Sequence, residues 1–219
     1  MKKYNAEELN DNYDRFIKAI EKSFEGERLE KLLHMYSEEE LGINLLLSPA
    51  SGNKFYHNSY EGGYIDHIMN VARNSLRMLK LYKEAGGVID FEQEELLFCA
   101  FHHDLGKLGK KDHFHYSPND SEWHIKNRGD NYKRNEDIAF MSITDRTFFT
   151  LQEYGITYNE NEYFGIKLTD GIFDEDNIKY YKTYDKTKYL KTNIQFILHW
   201  ADWMSTTIER DQEIKVISE

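Results

Sequence analysis

The residues best suited to chemistry in this chain are His103 and Asp104, adjacent in FHHDLGKLGK (residues 101–110) at the end of an apolar run. Neighbours on a helix point in different directions, so two such side chains converge only where a helix is ending. Gly106 is expected to supply that ending. An imidazole and a carboxylate presented together suit a divalent cation of intermediate hardness, such as Mn, Fe, Co, Ni or Zn. Lys107 follows within reach, and an ammonium group beside such a cation suits a phosphate oxygen. The expected chemistry is metal-assisted and directed at phosphate.

Two ligands do not hold a cation, so others must come from elsewhere in the chain. His67 lies early in a segment that follows Gly62-Gly63; taken alone, a histidine on an apolar helix face is more often packed than ligating. Asp202 stands in HWADWMS among apolar and aromatic neighbours. Burying that carboxylate unpaired would be costly; a cation would remove the cost, as would a lysine or arginine. The order His, then His-Asp, then Asp, on three helices, is a stronger signal than any one of these residues.

The elements that must position them read as helices. Residues 6–36 carry Leu9, Tyr13, Phe16, Ile17, Ile20 and Phe24 at helical spacing, with Gly26 a break, and a short helix over 38–47 ends before Ser48-Pro49. Residues 48–63 form a Gly-, Ser- and Asn-rich loop. The segment 64–84 has an apolar stripe ended by Gly86-Gly87, and Asp90 is placed as N-cap of the helix leading to His103. Residues 106–134 have no clear period, and a long irregular loop in a compact domain is usually functional. Shorter helices are expected over 135–141, 145–154 and 159–168, with Asp145 and Asn159 near two of the starts. A last helix is expected over 192–210. The expected fold is one all-α domain with a long active-site loop, residues 1–47 supplying N-terminal helices packed on a unit over 48–219.

A chain of 219 residues can bury one sizeable core. Its hydrophobic fraction of 40% and aromatic fraction of 15% exclude a disordered chain. The single cysteine, Cys99, lies in LLFCAF and is expected to be a packed thiol in a reducing cytoplasm. No apolar run reaches the ~18 residues of a membrane span, and MKKYNAEELN lacks the apolar stretch of a signal peptide. The formal net charge of −11 argues against stable binding of duplex nucleic acid. Basic residues nevertheless cluster near the His-Asp pair, Lys107, Lys110, Lys111, Lys126, Arg128, Lys133 and Arg134 among them. A small anionic substrate in a locally positive cleft fits that pattern. An oligomer is compatible with all of this.

The segments GGYIDH (62–67), HHDLGK (102–107) and HWAD (199–202) together resemble the HD-domain superfamily of metal-dependent phosphohydrolases, over about residues 48–210. The resemblance implies an all-helical scaffold and a ligand set of His67, His103, Asp104 and Asp202, with His102 structural. SPASGNKFYHNSYEGGYIDH is similar to the approach to the first ligand in bacterial HD-type 3′→5′ exonucleases; His57 holds the upstream histidine position there and is expected to be a surface histidine, with shaping the entrance the alternative. Relatives with two metals use two further histidines. His124 falls where the first would be, but Thr169 and Asp170 stand where the second is expected. The expectation is therefore one metal, with Asp170 a substitute oxygen ligand if a second binds, and His124 a pocket residue and proton donor. A lysine in HDxGK is associated with phosphate contact, which gives Lys107 a catalytic role beside Asp104. Arg73, Lys110 and Arg128 are placed as substrate contacts, for Arg73 with a solvated helix surface as the alternative. His199 is expected to orient a ligand carboxylate, His113 and His115 to lie in an exposed loop, His34 to be structural, and Trp200 and Trp203 to pack in the core. The implied activity is hydrolysis of a nucleotide's phosphate ester or anhydride. The alternatives are a phosphodiesterase or 3′→5′ exonuclease on short nucleic acid, and a non-catalytic nucleotide-sensing module.

Overall fold

Asn5 starts the first helix by a reciprocal cap. Its side-chain oxygen accepts the Glu8 N–H at 3.0 Å, and the Glu8 carboxylate accepts the Asn5 N–H at 2.8 Å. Helix α1 (Ala6–Ser23) then buries Leu9, Phe16 and Ile20 along one face. The chain breaks at Phe24-Glu25, two residues before the expected point, and Gly26 opens α2 (Gly26–Met35). Helix α3 (Gly42–Leu47) stops at Ser48, which is extended before Pro49. The computed structural model describes residues 2–218, with side chains described to residue 212, so the final residue of the 48–219 unit lies outside the described residues.

Three longer helices form the frame of the molecule. They are α4 (Gly63–Glu84), α5 (Gln93–His102) and α10 (Ile194–Ser218). Helix α10 packs most extensively on α4, and α5 packs on α4 from another side. Between α5 and α10 the chain forms α6 (Glu122–Arg128), α7 (Ile143–Glu153), α8 (Glu160–Lys167) and the single-turn α9 (Ile178–Tyr181). Phe16, Ile20, Leu32 and Tyr36 from the N-terminal helices share one core with Ile65, Ile68, Phe98, Phe101 and Leu198. Phe16 meets Tyr36 edge-on at 5.0 Å and Phe101 at 5.9 Å, so the first 47 residues are built into the core that carries the His-Asp helix.

A second fastening acts at Asp66, beside His67. Its carboxylate accepts hydrogen bonds from Lys2 Nζ and Tyr4 Oη, each at 2.8 Å to Oδ2, from Asn12 Nδ2 and from Tyr60 Oη. Burial alone would raise Asp66; the Lys2 and Tyr4 hydrogen bonds hold it below the ordinary carboxylate range. The N-terminal strand of chain is thereby tied to the first turn of α4.

The described structure is all-α apart from one small ribbon, and that ribbon lies in the segment without sequence periodicity. Strands β1 (Tyr116–Pro118) and β2 (Tyr132–Arg134) pair antiparallel, Tyr116 opposite Arg134 and Pro118 opposite Tyr132. The ribbon region is fastened to the 48–63 loop through Tyr132 N–H to Gly52 O at 2.9 Å and Lys54 N–H to Gly129 O at 2.8 Å. Other differences are local. Residues 135–141 form no helix; Asn135 instead caps its own turn, its side-chain oxygen accepting the Asp137 N–H. Asp145 is three residues inside α7, whose cap is Ser142. Asp90 accepts from Thr192 Oγ1 and the Asn193 N–H, and the helix it was expected to cap is entered at Glu92. Among the described residues no helix is long and apolar enough to cross a membrane.

Candidate metal centre

Helix α4 begins where two glycines allow a close approach. Gly62 has φ +80°, and a Cβ on Gly63 would lie 2.2 Å from the Asn58 carbonyl oxygen. The turn delivers His67 on the first turns of α4, fully buried, facing α10. Helix α5 ends at His103, and the chain tightens into a 3₁₀ turn over Leu105–Leu108. That change of geometry at Asp104 brings the two neighbouring side chains together. Gly106 does not end the helix by a left-handed conformation, as the sequence suggested. A Cβ there would lie 2.2 Å from the Ile143 carbonyl oxygen, and its N–H donates to Thr147 Oγ1 at 2.9 Å. The glycine lets α7 press directly on the turn that aims Asp104.

The four expected ligands meet. His67 Nε2 is 3.2 Å from Asp202 Oδ1 and 3.5 Å from Asp104 Oδ2. His103 Nε2 is 3.6 Å from Asp104 Oδ2 and 3.8 Å from Asp202 Oδ1. The opposite nitrogen of each ring is engaged. His103 Nδ1 bonds the Ala100 carbonyl at 3.0 Å, and His67 Nδ1 bonds Glu209 Oε2 at 2.9 Å. When Nδ1 donates in each ring, the Nε2 lone pairs are directed to the common point. His103 Nε2 is buried and has no hydrogen-bond partner, which leaves its lone pair free to bind a cation.

Glu209 was not foreseen, yet it lies two helical turns after Asp202, on the same face of α10. Its other oxygen accepts Asn70 Nδ2 at 2.7 Å, and Asn70 in turn accepts Arg73 Nη1 at 3.0 Å. Arg73 is thus the exposed end of a chain running through Asn70 and Glu209 to His67, on the far side of that ring from the ligand point.

Charge supports the same conclusion. Asp104, Asp202 and Glu209 carry three negative charges against the ammonium of Lys107, whose Nζ is 2.6 Å from Asp104 Oδ2. Three carboxylates against one ammonium leave an excess of negative charge that a cation, or protons on the imidazoles, would offset. Burial would lower His67, but Glu209 and then Asp202 raise it to about 10, so without a cation a proton occupies that place. Burial would raise Asp104 and Asp202. For Asp104 the charges of Lys107 and His103 win, for Asp202 the His67 hydrogen bond and the His103 charge, and both carboxyls are held low. Burial would lower Lys107, and Asp104 more than restores it. His67, His103 and Asp104 form a group that could hold a metal ion, and Asp202, 3.2 Å from His67 and 3.8 Å from His103, stands beside it; imidazole and carboxylate donors together suit a divalent transition metal.

Around this point lie residues whose expected roles change. His57 is not a surface residue: it is 9% exposed, its ring is 4.5 Å from that of His67, and neither ring nitrogen has a hydrogen-bond partner. Burial, then the neighbouring His67 and Lys107, push it well below its ordinary value. Tyr116, from β1, lies close enough to Lys107 and Asp104 to exchange charge effects with both. Asp170 is raised by burial and then by the charges of Asp104 and Asp202. His115 is buried against Tyr116 and not in an exposed loop.

Other expected site residues stand apart. His124 packs edge-on against Trp123 at 5.2 Å and makes no hydrogen bond, ion pair or ring contact with the four ligands among the described residues. Arg128 lies over the exposed Trp123 ring. Lys110 is held in a backbone bridge with His113 and lines a surface cleft with His34, Glu40 and Tyr154. His199 bonds the Thr169 carbonyl at 2.6 Å, and among the described residues it makes no hydrogen bond or ion pair with Asp202. Trp200 and Trp203 do not pack in the core; they stack on each other at 5.4 Å, 42% and 44% exposed. Their spacing of three residues serves an outward face of α10 as well as an inward one. His102 is structural as expected, buried with Nδ1 on the Phe98 carbonyl, and Cys99 is a buried thiol donating to the Glu162 carbonyl.

Comparison with protein-family models, curated proteins and solved structures finds no match for this chain.

Proposed function

We propose that the chain is a metal-dependent phosphohydrolase of the HD type, acting on a phosphate ester or anhydride of a nucleotide. The observation that carries this is the convergence of His67, His103, Asp104 and Asp202 with Lys107 alongside. A divalent cation held there would polarise a phosphoryl oxygen and make water a better nucleophile at neutral pH. The chain's own residues do the rest. Glu209 and the Ala100 carbonyl fix the two imidazoles so that no reorganisation is needed when the ligand arrives. Lys107 offers an ammonium group to the charge that develops on the phosphoryl oxygens. Its pairing with Asp104 keeps that carboxylate ionised, which suits it better as a cation ligand than as a proton acceptor.

Trp200 and Trp203, on the helix that carries Asp202, form an exposed aromatic surface with Phe173, and exposed aromatic rings suit a substrate with a base, since such rings stack bases. The same surface supports the second reading, a phosphodiesterase or 3′→5′ exonuclease on short single strands. A nucleotide-sensing module would share the site without turnover. A cytoplasmic location fits a buried, unpaired cysteine. The test is incubation of metal-loaded protein with a panel of nucleoside mono- and triphosphates, cyclic nucleotides and short oligomers, with products identified. Release of phosphate or nucleoside from monomers supports the first reading and shortening of oligomers the second; no product from any of them overturns both.

A further inference from the structure

A buried imidazole with both nitrogens unpartnered is costly unless something hydrogen-bonds it, and His57 is such a group in the wall of the candidate centre. The loop that carries it is pinned. Asn58, at φ +45°, returns its carbonyl to the Ala50 N–H at 3.0 Å, and the Tyr64 N–H donates to the Ser48 carbonyl at 3.0 Å. The Asn58 carbonyl also presses on Gly63 so closely that no side chain fits there. His57 is therefore held in place. Its ring leans on that of His67, tilted by 42°. Beside the His67 ring it also feels the charges of Lys107, Asp202 and Asp104, so the ligands and the lysine are among its neighbours. A nitrogen of His57 lies within 4.8 Å of ligand atoms of His67 and Glu209, a second group that could hold an ion, but none joins His67, His103 and Asp104 in one ligand group. It stands one step outside the point at which the four converge.

We propose that His57 is a substrate-contacting residue whose ring N–H donates to a phosphoryl oxygen of the bound group, from the wall formed by the 48–63 loop, while Lys107 approaches from the 3₁₀ turn. This rests on the phosphohydrolase reading above. A neutral imidazole has one N–H to give and a lone pair to receive a water or substrate hydroxyl, so a phosphate oxyanion and its hydration satisfy both orphaned nitrogens. The two donors would come from elements far apart in sequence, which constrains the orientation of the phosphoryl group and not merely its charge.

The test uses the full chain loaded with Mn²⁺ and inorganic phosphate as the probe. Phosphate affinity is measured by titration calorimetry, and metal content by elemental analysis, for the wild type, His57→Phe and His57→Asn. Phenylalanine keeps the packing and removes the donor; asparagine keeps a donor and is small enough to spare the fold. The expected result is unchanged metal content in both variants, at least tenfold weaker phosphate binding in His57→Phe, and binding within about threefold of wild type in His57→Asn. Equal phosphate affinity in all three proteins would overturn the proposal by making His57 a packing residue. Loss of metal from a folded His57→Asn protein would overturn it by making His57 a ligand. A wild type that holds Mn²⁺ but takes no phosphate would overturn the phosphohydrolase reading as well, an outcome distinct from any difference among variants.

Discussion

At the scale of single residues, the candidate centre separates groups that ligate from groups that aim. His67 and His103 each have one nitrogen at the ligand point and the other fixed to a carboxylate or carbonyl. Glu209 is the aiming group for His67. Replacing a carboxylate that orients a metal-bound histidine typically weakens metal affinity ~10–100-fold. Glu209→Ala is expected to weaken Mn²⁺ binding by that factor while leaving the protein folded, and Glu209→Gln, which keeps an acceptor, by less. Competition with a metal-sensitive dye measures both; identical affinity in all three would leave Glu209 a mere partner of Asn70. Lys107 is different. It neutralises Asp104 at 2.6 Å and does not ligate, so Lys107→Ala is expected to retain the metal. Loss of one charged contact on a transferring phosphoryl group costs ~10²–10³ in rate, about 3–4 kcal/mol. A change in kcat/KM below about threefold, under ~1 kcal/mol, would leave Lys107 only the structural partner of Asp104.

At the scale of elements, the site depends on where helices stop. The 3₁₀ turn after α5 is seated against α7 through Gly106, and a methyl group there has no room beside the Ile143 carbonyl. Gly106→Ala is expected to cost about 1–3 kcal/mol, as for other overpacked sites, and to weaken metal binding along with it. A urea midpoint equal to that of wild type would show that the two elements can separate freely. The sequence showed the stripes of α1, α4, α5 and α10 because each buries one continuous face, and it brought out the four residues that converge because His67, His103, Asp104 and Asp202 stand in motifs at those helices. It did not show Glu209, which carries no motif and is found only by continuing the face of Asp202 two turns on. His57 and His115 looked like loop histidines, because burial of a loop depends on what folds over it; here that is a ribbon of six paired residues with no apolar alternation. Lys110 and Arg128 were placed by nearness in sequence to Lys107, but a turn and a short helix direct them elsewhere.

At the scale of the whole molecule, one core joins the N-terminal helices to the helices of the centre, and the ribbon is fastened to the 48–63 loop by backbone hydrogen bonds, so events in the wall of the site are felt in stability. His115 is buried beside Tyr116; that burial, with Arg146, Lys107 and Arg134 disfavouring its charge and Asp104 weakly favouring it, lowers it from 6.5 to about 4. The unfolded chain therefore binds a proton that the folded one refuses between those values. Stability contributed by His115 is present in full above pH 6.5 and is lost as pH falls towards 4. His115→Phe is expected to flatten part of that acid loss in urea midpoints measured from pH 7 to pH 4.5; an unchanged slope would mean that the ring is charged in the folded protein. The account as a whole rests on a cation at the point where α4, α5 and α10 meet. The most direct measurement is the divalent metal content of the purified full chain after dialysis, by elemental analysis, alongside folded Asp202→Ala and His103→Ala proteins. The account predicts about one Mn, Fe, Co, Ni or Zn per wild-type chain, and near zero in both variants. A wild type that retains no metal even when supplied with it, or variants that retain as much as the wild type, would contradict it.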